Sequence, residues 1–348
     1  MKSRKTLSLF ICGSISLILT ACAFPVKNNT GAINDFINDM AAKHRFDKPT
    51  LTGLFEQVSI NEEIIRKISK PAEGIPWYKY RRIFLKKPRI KAGLEFWRNH
   101  AETLATVEQQ TGVPPAVIVA ILGVETQYGQ NTGNYRVIDA LSTLAFAYPP
   151  RSVFFLKELE NFLLMCREEK LNPLTPTGSY AGAMGVPQFM PSSFRRYTVD
   201  FNNDNKRDIW HNPDDVIASV GRYFAEHGWK KDEPIAYLLQ ENPDKTIQNK
   251  SFLKENLRFL TSNSPVPNIS TPLLSTKKAK ISAFEQENGE ELWATYNNFY
   301  VITHYNRSPL YAMAVFQLSL AISNLRAFSY DEKDINSASR AGSVQLRE

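Results

Sequence analysis

The stretch Ala116–Val124, AVIVAILGV, is apolar or glycine at every position and ends on an ionisable residue, Glu125. Pro114 and Pro115 precede it, and proline is favoured in a first helical turn, so a helix is expected to begin there. A helix with no polar face is buried nearly all round, and the rest of the chain has to surround it. Glu125 then leaves the helix end into low-dielectric surroundings, where burial disfavours the ionised carboxylate and raises its pKa. A carboxyl group that keeps its proton near neutral pH is what a general acid requires. The alternative is a glutamate that merely reaches solvent at a helix C-terminus.

The address of the chain follows from its first residues. Lys2, Arg4 and Lys5 precede an apolar run from Leu7 to Leu19, shorter than the roughly 20 residues that span a bilayer. Residues 1–21 are therefore expected to be an export signal. Thr20, Ala21 and Cys22 resemble a bacterial lipobox, which implies diacylglycerol on the Cys22 thiol, cleavage before it and acylation of the new amino group. Several acyl chains anchor firmly where one binds marginally. An ordinary secretory signal with a chance cysteine is the alternative. Ala23, in place of an aspartate, points to an outer-membrane lipoprotein facing the periplasm of a Gram-negative bacterium. Cys12 would depart with the signal and Cys166 has no partner, so the core and not disulfides must stabilise the fold. A composition 43% hydrophobic and 22% charged is that of a globular protein. The net charge of +7 suits an anionic envelope polymer or membrane surface. No nucleic-acid motif is present, so nucleic acid is not expected as a partner.

The expected organisation is a tether over 22–31, an N-terminal helical subdomain over 32–99 and a helical middle over 100–228. A small β-containing insertion over 229–300, a returning segment and helix over 301–330 and a frayed polar tail over 331–348 complete it. Apolar spacing predicts helices in INDFINDMAAKH and over Thr50 to Ser69, and one helix over Ala92 to Thr111. KPAEGIPWYKYRRIF breaks that pattern with an aromatic, basic cluster. Strand-type residues enrich AKISAFEQENGEELWATYNNFYVITHY, with a turn at Gly289. The last helix is expected from Pro309 to about Phe328.

Two further segments carry potential chemistry. In GSYAGAMGVPQFMPSS, glycines permit a tight turn and close approach of a ligand, and Pro191 with two serines marks a helix start. Asp200, Asn202 and Asp204 have the alternating spacing of an EF-hand loop, with Lys206 offering its backbone carbonyl. Asn205 stands where the sharp-turn glycine belongs, and His211 where a bidentate glutamate belongs. Calcium in a structural role is the expectation, with sodium or an empty polar turn as alternatives. The five histidines show no close pairing, which argues against zinc.

GVETQYGQNTG and GSYAGAMGVPQFMPSSF, followed by DFNNDNKRDIW and NNFYVITHYNRSPLYAMAV, resemble the lytic murein transglycosylase B family, and FAYPPRSVFFLKELENFLLM extends the match. The resemblance covers nearly the whole mature chain. It implies a mainly α (α+β) fold with a lysozyme-like core over 100–228. It also implies cleavage of the β-1,4 bond between N-acetylmuramic acid and N-acetylglucosamine, with a 1,6-anhydromuramyl end formed instead of water being added. Glu125 would be the single catalytic acid/base, needing no cofactor, and Asp139 would be structural. Ser179 would lie near the muramyl N-acetyl group, Gln188 would bind sugar, and Met184 and Phe189 would line the cleft. Tyr80, Tyr223, Tyr305, Asn306 and Tyr311 match cleft positions. Arg151 matches an arginine near the substrate's peptide; the position before it, arginine in some relatives, is Pro150 here. The family's metal loop is closed by a later aspartate, Asp215, with Asp214 as the alternate. Peptidoglycan strands are the implied partner of a monomeric enzyme, and cell-wall synthases are candidates for others. A hydrolytic muramidase and a non-catalytic wall-binding lipoprotein remain as rival readings.

Overall fold

The computed structural model describes residues 30–69, 74–242 and 279–344. The signal, Cys22, most of the tether and residues 243–278 of the expected insertion lie outside them. Thirteen α-helices are present among the described residues: α1 (Thr30–His44), α2 (Lys48–Phe55), α3 (Glu62–Ile68), α4 (Trp77–Phe84), α5 (Lys87–Asn99), α6 (Ala101–Thr111), α7 (Pro115–Thr126), α8 (Val137–Ala147), α9 (Ser152–Glu168), α10 (Pro191–Tyr197), α11 (Pro213–Glu226), α12 (Asn297–Tyr305) and α13 (Pro309–Val344).

Helix α7 is the axis of the molecule. Of its residues, all but Glu125 are buried, so the one position left facing outward is the one that titrates. It packs against α5, α6, α11 and α13. Gly112, in a left-handed conformation at φ 72°, turns α6 into α7 through 113°. On the α5 side the approach is set by Tyr128, whose ring tip lies over Gly123 of α7 and Gly93 of α5. A Cβ on Gly123 would stand 2.5 Å from the Tyr128 hydroxyl, well inside van der Waals contact. That hydroxyl donates to the Arg89 carbonyl at 3.0 Å.

Around this axis, α8 packs on α9 and α9 on α10. Two short strands, β1 (Tyr135–Arg136) and β2 (Thr177–Gly178), pair antiparallel and bring the segment after α7 beside the glycine-rich loop. Strands β3 (Ala236–Asn242), β4 (Lys280–Glu285) and β5 (Glu290–Thr295) form an antiparallel sheet in the order β3-β5-β4, with Gly289 at φ 96° in the turn between β4 and β5. The β4 strand packs against α4.

Several boundaries differ from the sequence-based expectations. The helix expected over Ala92–Thr111 is two helices, because His100 leaves helical geometry at φ −123°, ψ 30°. The one expected over Thr50–Ser69 divides into α2 and α3, the second capped by Asn61, whose side chain accepts from the Glu63 amide at 2.8 Å. NNFYVITHY, rich in strand-type residues, is helix α12 (burying Phe299, Val301 and Ile302); tertiary burial overrides a local preference of this size. Helix α13 runs on to Val344, past the end of its apolar spacing; no proline interrupts it.

Candidate active site

Glu125 sits one residue before the end of α7, and the chain then turns sharply. Gln127, Tyr128 and Gly129 all have positive φ, at 54°, 61° and 89°, a run that costs energy in the first two, which are not glycine. Thr126 holds the turn. Fully buried, it accepts from the Gly129 amide at 3.0 Å and donates to the Val186 carbonyl at 2.9 Å. The acid's helix end is thus tied directly to the glycine-rich loop.

That loop is a closed hairpin-like turn. Met184 and Phe189 exchange backbone hydrogen bonds of 2.8 and 3.0 Å, and between them Gly185 and Gln188 take left-handed conformations at φ 63° and 53°. A Cβ on Gly185 would stand 2.5 Å from the Ile209 carbonyl, so only glycine fits. Gln188 donates both amide hydrogens to backbone, at 3.0 Å to Thr132 and 2.9 Å to Gly185. Its side-chain oxygen remains as an acceptor. Ser179 accepts from the Ala183 amide at 3.0 Å and is partly exposed.

The opposite wall comes from the far end of the chain. Helices α12 and α13 meet at 110°, and the corner delivers Tyr305 and Tyr311. Tyr311 donates its hydroxyl hydrogen to Glu125 Oε1 at 2.5 Å. Tyr305 donates to the Pro187 carbonyl at 2.5 Å, and Tyr223 of α11 to the His304 carbonyl at 2.8 Å. The phenols of Tyr80, Tyr223, Tyr305 and Tyr311 are all raised above their ordinary pKa, by burial first; the charge of Glu125 is the next cause for Tyr80, Tyr305 and Tyr311, and for Tyr223 it follows Tyr197. Four neutral phenols therefore surround one carboxyl group. Its pKa is raised to about 7 by loss of water, opposed by the Tyr311 hydrogen bond, which favours the ionised form. Glu125 nonetheless keeps a partly accessible surface.

No second carboxylate contributes to the shift of Glu125. Asp139 is held by Arg136 at 2.6 Å and by the Ser59 amide at 3.0 Å. Met184 and Phe189, expected to line the cleft, are 0% and 2% exposed, so both side chains pack into the core beneath the turn. Tyr223 is nearly as enclosed, at 6% exposed with its hydroxyl engaged, and serves as wall structure rather than exposed contact. Asn306 is exposed and accepts from the Ser308 amide at 3.1 Å, initiating α13. Arg151 is exposed on a short 3-10 turn and lies over Phe154, 4.6 Å from its ring centre; no described contact joins it to Glu125. A depression of about 590 Å³ between α1, α8 and α9 includes neither Glu125 nor the tyrosines around it.

In the acidic loop, the Asp200 carboxylate accepts from the Asp204 and Asn205 amides at 3.1 and 2.9 Å. Asp204 accepts from Lys206 at 2.9 Å. Asp215 is buried and accepts from the Phe201 and Asp208 amides at 2.8 and 2.9 Å. Its pKa is raised by burial, with the charges of Asp200 and Asp204 adding to the effect. Asp214 turns the other way and accepts from Thr103 at 2.6 Å. Among the described residues no three acidic, histidine or cysteine side chains gather as a ligand cluster. The oxygens on offer are mixed: carboxylate, the Asn202 amide and backbone carbonyl.

Thr126, Thr132 and Pro187 were not legible as site residues from sequence. Two of the three act through backbone carbonyls, which leave no side-chain signal. Thr126 alone left one, as a polar residue closing an otherwise apolar helix.

Fold and site together define a class: a mainly helical, lysozyme-like protein that recesses one carboxyl group among tyrosines. Residues 28–320 match the family described as "Transglycosylase SLT domain", and the chain belongs to that family of lytic transglycosylases. Membrane-bound lytic murein transglycosylase B of Escherichia coli K12 is 38% identical over 309 residues, covering 86% of this chain and 84% of that protein. The crystal structure of the soluble lytic transglycosylase SltB1 of Pseudomonas aeruginosa matches with a TM-score of 0.74 and 44% identity, over 85% of this chain and 99% of that one. Escherichia coli Slt35, solved in complex with calcium, matches with a TM-score of 0.75 and 36% identity, over 86% and 94% of the two chains.

Proposed function

We propose that this lytic transglycosylase cleaves the β-1,4 bond between N-acetylmuramic acid and N-acetylglucosamine of peptidoglycan, with Glu125 as its only acid and base. The observation that carries the reading is the single outward-facing residue of a buried helix, a carboxyl group with a pKa of about 7. Glu125 gives its proton to the glycosidic oxygen as the bond to the anomeric carbon breaks. The substrate's N-acetyl group stabilises the electron-poor anomeric carbon. The muramyl C6 hydroxyl then attacks that carbon and returns its proton to Glu125, leaving a 1,6-anhydro ring and a restored acid. Ordinary glycosidases flank the bond with two carboxylates, and among the described residues none acts on the titration of Glu125, which favours substrate assistance.

In this reading the Gln188 oxygen accepts from a sugar hydroxyl and Ser179 faces the N-acetyl group. Tyr80 and Tyr305 offer ring faces, while Tyr311 orients the acid. Product masses after digestion of purified peptidoglycan test it: anhydromuramyl ends that vanish with Glu125→Gln are expected. Reducing ends would indicate a hydrolytic muramidase, and undiminished release by Glu125→Gln would remove the residue from the mechanism.

Slt35 is described in complex with calcium, and the donor types in the acidic loop support the same ion here. Mutually repelling carboxylates at Asp200, Asp204 and Asp215, with oxygens of Asn202 and the Lys206 backbone, are a hard-cation donor set. The ion would neutralise and brace the loop, and catalysis requires no cofactor. The curated relative is described as membrane-bound; acylated Cys22 would likewise tether this enzyme to the outer membrane, facing the periplasm.

A further inference from the structure

Between Gly74 and Leu94 the chain carries Lys79, Arg81, Arg82, Lys86, Lys87, Arg89 and Lys91, and no acidic residue. The reaction uses only Tyr80 of this segment. Arg81, Arg82 and Arg89 are engaged by the fold, and Lys79 lies over the ring of its neighbour Tyr78, 5.5 Å from its centre. Arg81 pairs with Glu291 at 3.2 Å and Arg82 with Glu287 at 3.4 Å, both on the β4–β5 hairpin. Arg89 donates to the Ile83 carbonyl at 2.8 Å and lies over the Phe84 ring. Lys79, Lys86, Lys87 and Lys91 are exposed, and none of them has an ion-pair partner among the described residues. Glu95, one turn beyond Lys91, is the next acid on that helix. Uncompensated like charge on adjoining turns repels itself and adds nothing to the fold, so the arrangement fits an external counter-charge.

Its position says which. Helix α4 packs on α13, whose Tyr311 donates to Glu125, and α5 packs both on α13 and on α7, which carries Glu125. The lysines therefore stand on the two helices that adjoin the Glu125 site, and Lys87, the first residue of α5, is only three positions beyond the end of α4. We propose that the exposed α4–α5 face is a second contact surface for peptidoglycan, binding the free carboxylates of its peptide stems while the glycan lies against Glu125. The proposal rests on the peptidoglycan-cleaving reading. A five-residue stem extends to about 17 Å, long enough to leave the cut sugar and cross onto this face. An anionic lipid surface would also attract lysines, but the adjacency to the acid favours the wall polymer.

The test compares the wild-type full-length enzyme with a variant carrying Lys79→Gln, Lys86→Gln, Lys87→Gln and Lys91→Gln. All four side chains are exposed, and an unchanged melting curve checks the fold. Substrates are native peptidoglycan and the same material with its carboxylates converted to amides by carbodiimide and ammonia. On native wall the variant is expected to show KM raised roughly tenfold with kcat unchanged, the summed effect of several weak exposed contacts. Amidation should raise the wild-type KM equally and leave the variant's where it was. Equal KM values for both enzymes on native wall would overturn the proposal, as would a variant as sensitive to amidation as wild type. Lost binding to phosphatidylglycerol vesicles with KM intact on native wall would assign the face to lipid and overturn it too. A wild-type enzyme that cuts neither wall would remove the activity on which the surface rests.

Discussion

At the scale of single residues, the Glu125–Tyr311 pair sets the working pH. The carboxyl must be protonated to act as acid, so kcat/KM is expected to fall as pH rises through about 7. The Tyr311 hydrogen bond favours the ionised form, and its loss in Tyr311→Phe should move that descending limb to higher pH. A limb that stays put, read from the pH profile on peptidoglycan fragments, would rule out the assignment. Stability carries the same signature. Burial raises the folded-state pKa above the ordinary 4.5, so the folded state binds the proton more tightly than the unfolded chain does. That contribution is complete below about pH 4.5 and is lost as pH rises through about 7. Glu125→Gln has no proton to lose. Its melting temperature relative to wild type should therefore climb across this window, and a constant difference from pH 4 to 8 would contradict the burial argument.

At the scale of elements, the end of α7 and the glycine-rich turn behave as one unit because Thr126 hydrogen-bonds across them. Thr126→Val keeps the shape and loses both hydrogen bonds. It should lower kcat by up to about 10²-fold through misplacement of the acid, with KM little changed and activity restored by Thr126→Ser. A serine variant no better than valine would show the effect to be packing alone. The α5–α7 contact is equally specific. Gly123→Ala pushes a methyl group into Tyr128 and should cost about 1–3 kcal/mol in denaturant unfolding. Sequence disclosed the buried helix, its prolines and its terminal glutamate, because periodicity and composition report burial directly. It did not disclose that His100 breaks the preceding helix or that NNFYVITHY is helical. Those outcomes depend on what the segments pack against. Nor did Met184 declare whether it faces sugar or core, since a large apolar residue beside glycines serves either purpose.

At the scale of the whole molecule, calcium and folding should be linked. An ion bound only by the folded loop stabilises by mass action, so chelation should lower the melting temperature and leave kcat nearly unchanged. Asp200→Ala should melt like the chelated protein and be indifferent to added calcium. A melting curve unmoved by chelator would remove the metal. The oxygen spacing at Asp200, Asn202 and Asp204 was legible, but which of Asp214 and Asp215 turns toward that loop was not. Two adjacent aspartates look alike in sequence, and only α11 turns Asp215 toward the loop and Asp214 toward Thr103.

The distance along the chain between Glu125 and Tyr311 has a consequence for a cell that makes such an enzyme. An acid at position 125 is wrapped by residues up to 186 positions later. The contact that orients the acid is therefore a long-range one, made only when α13 has docked on α7. Helix α13 thus works as an arming step, and a copy that ends before it lacks the partner that orients the acid.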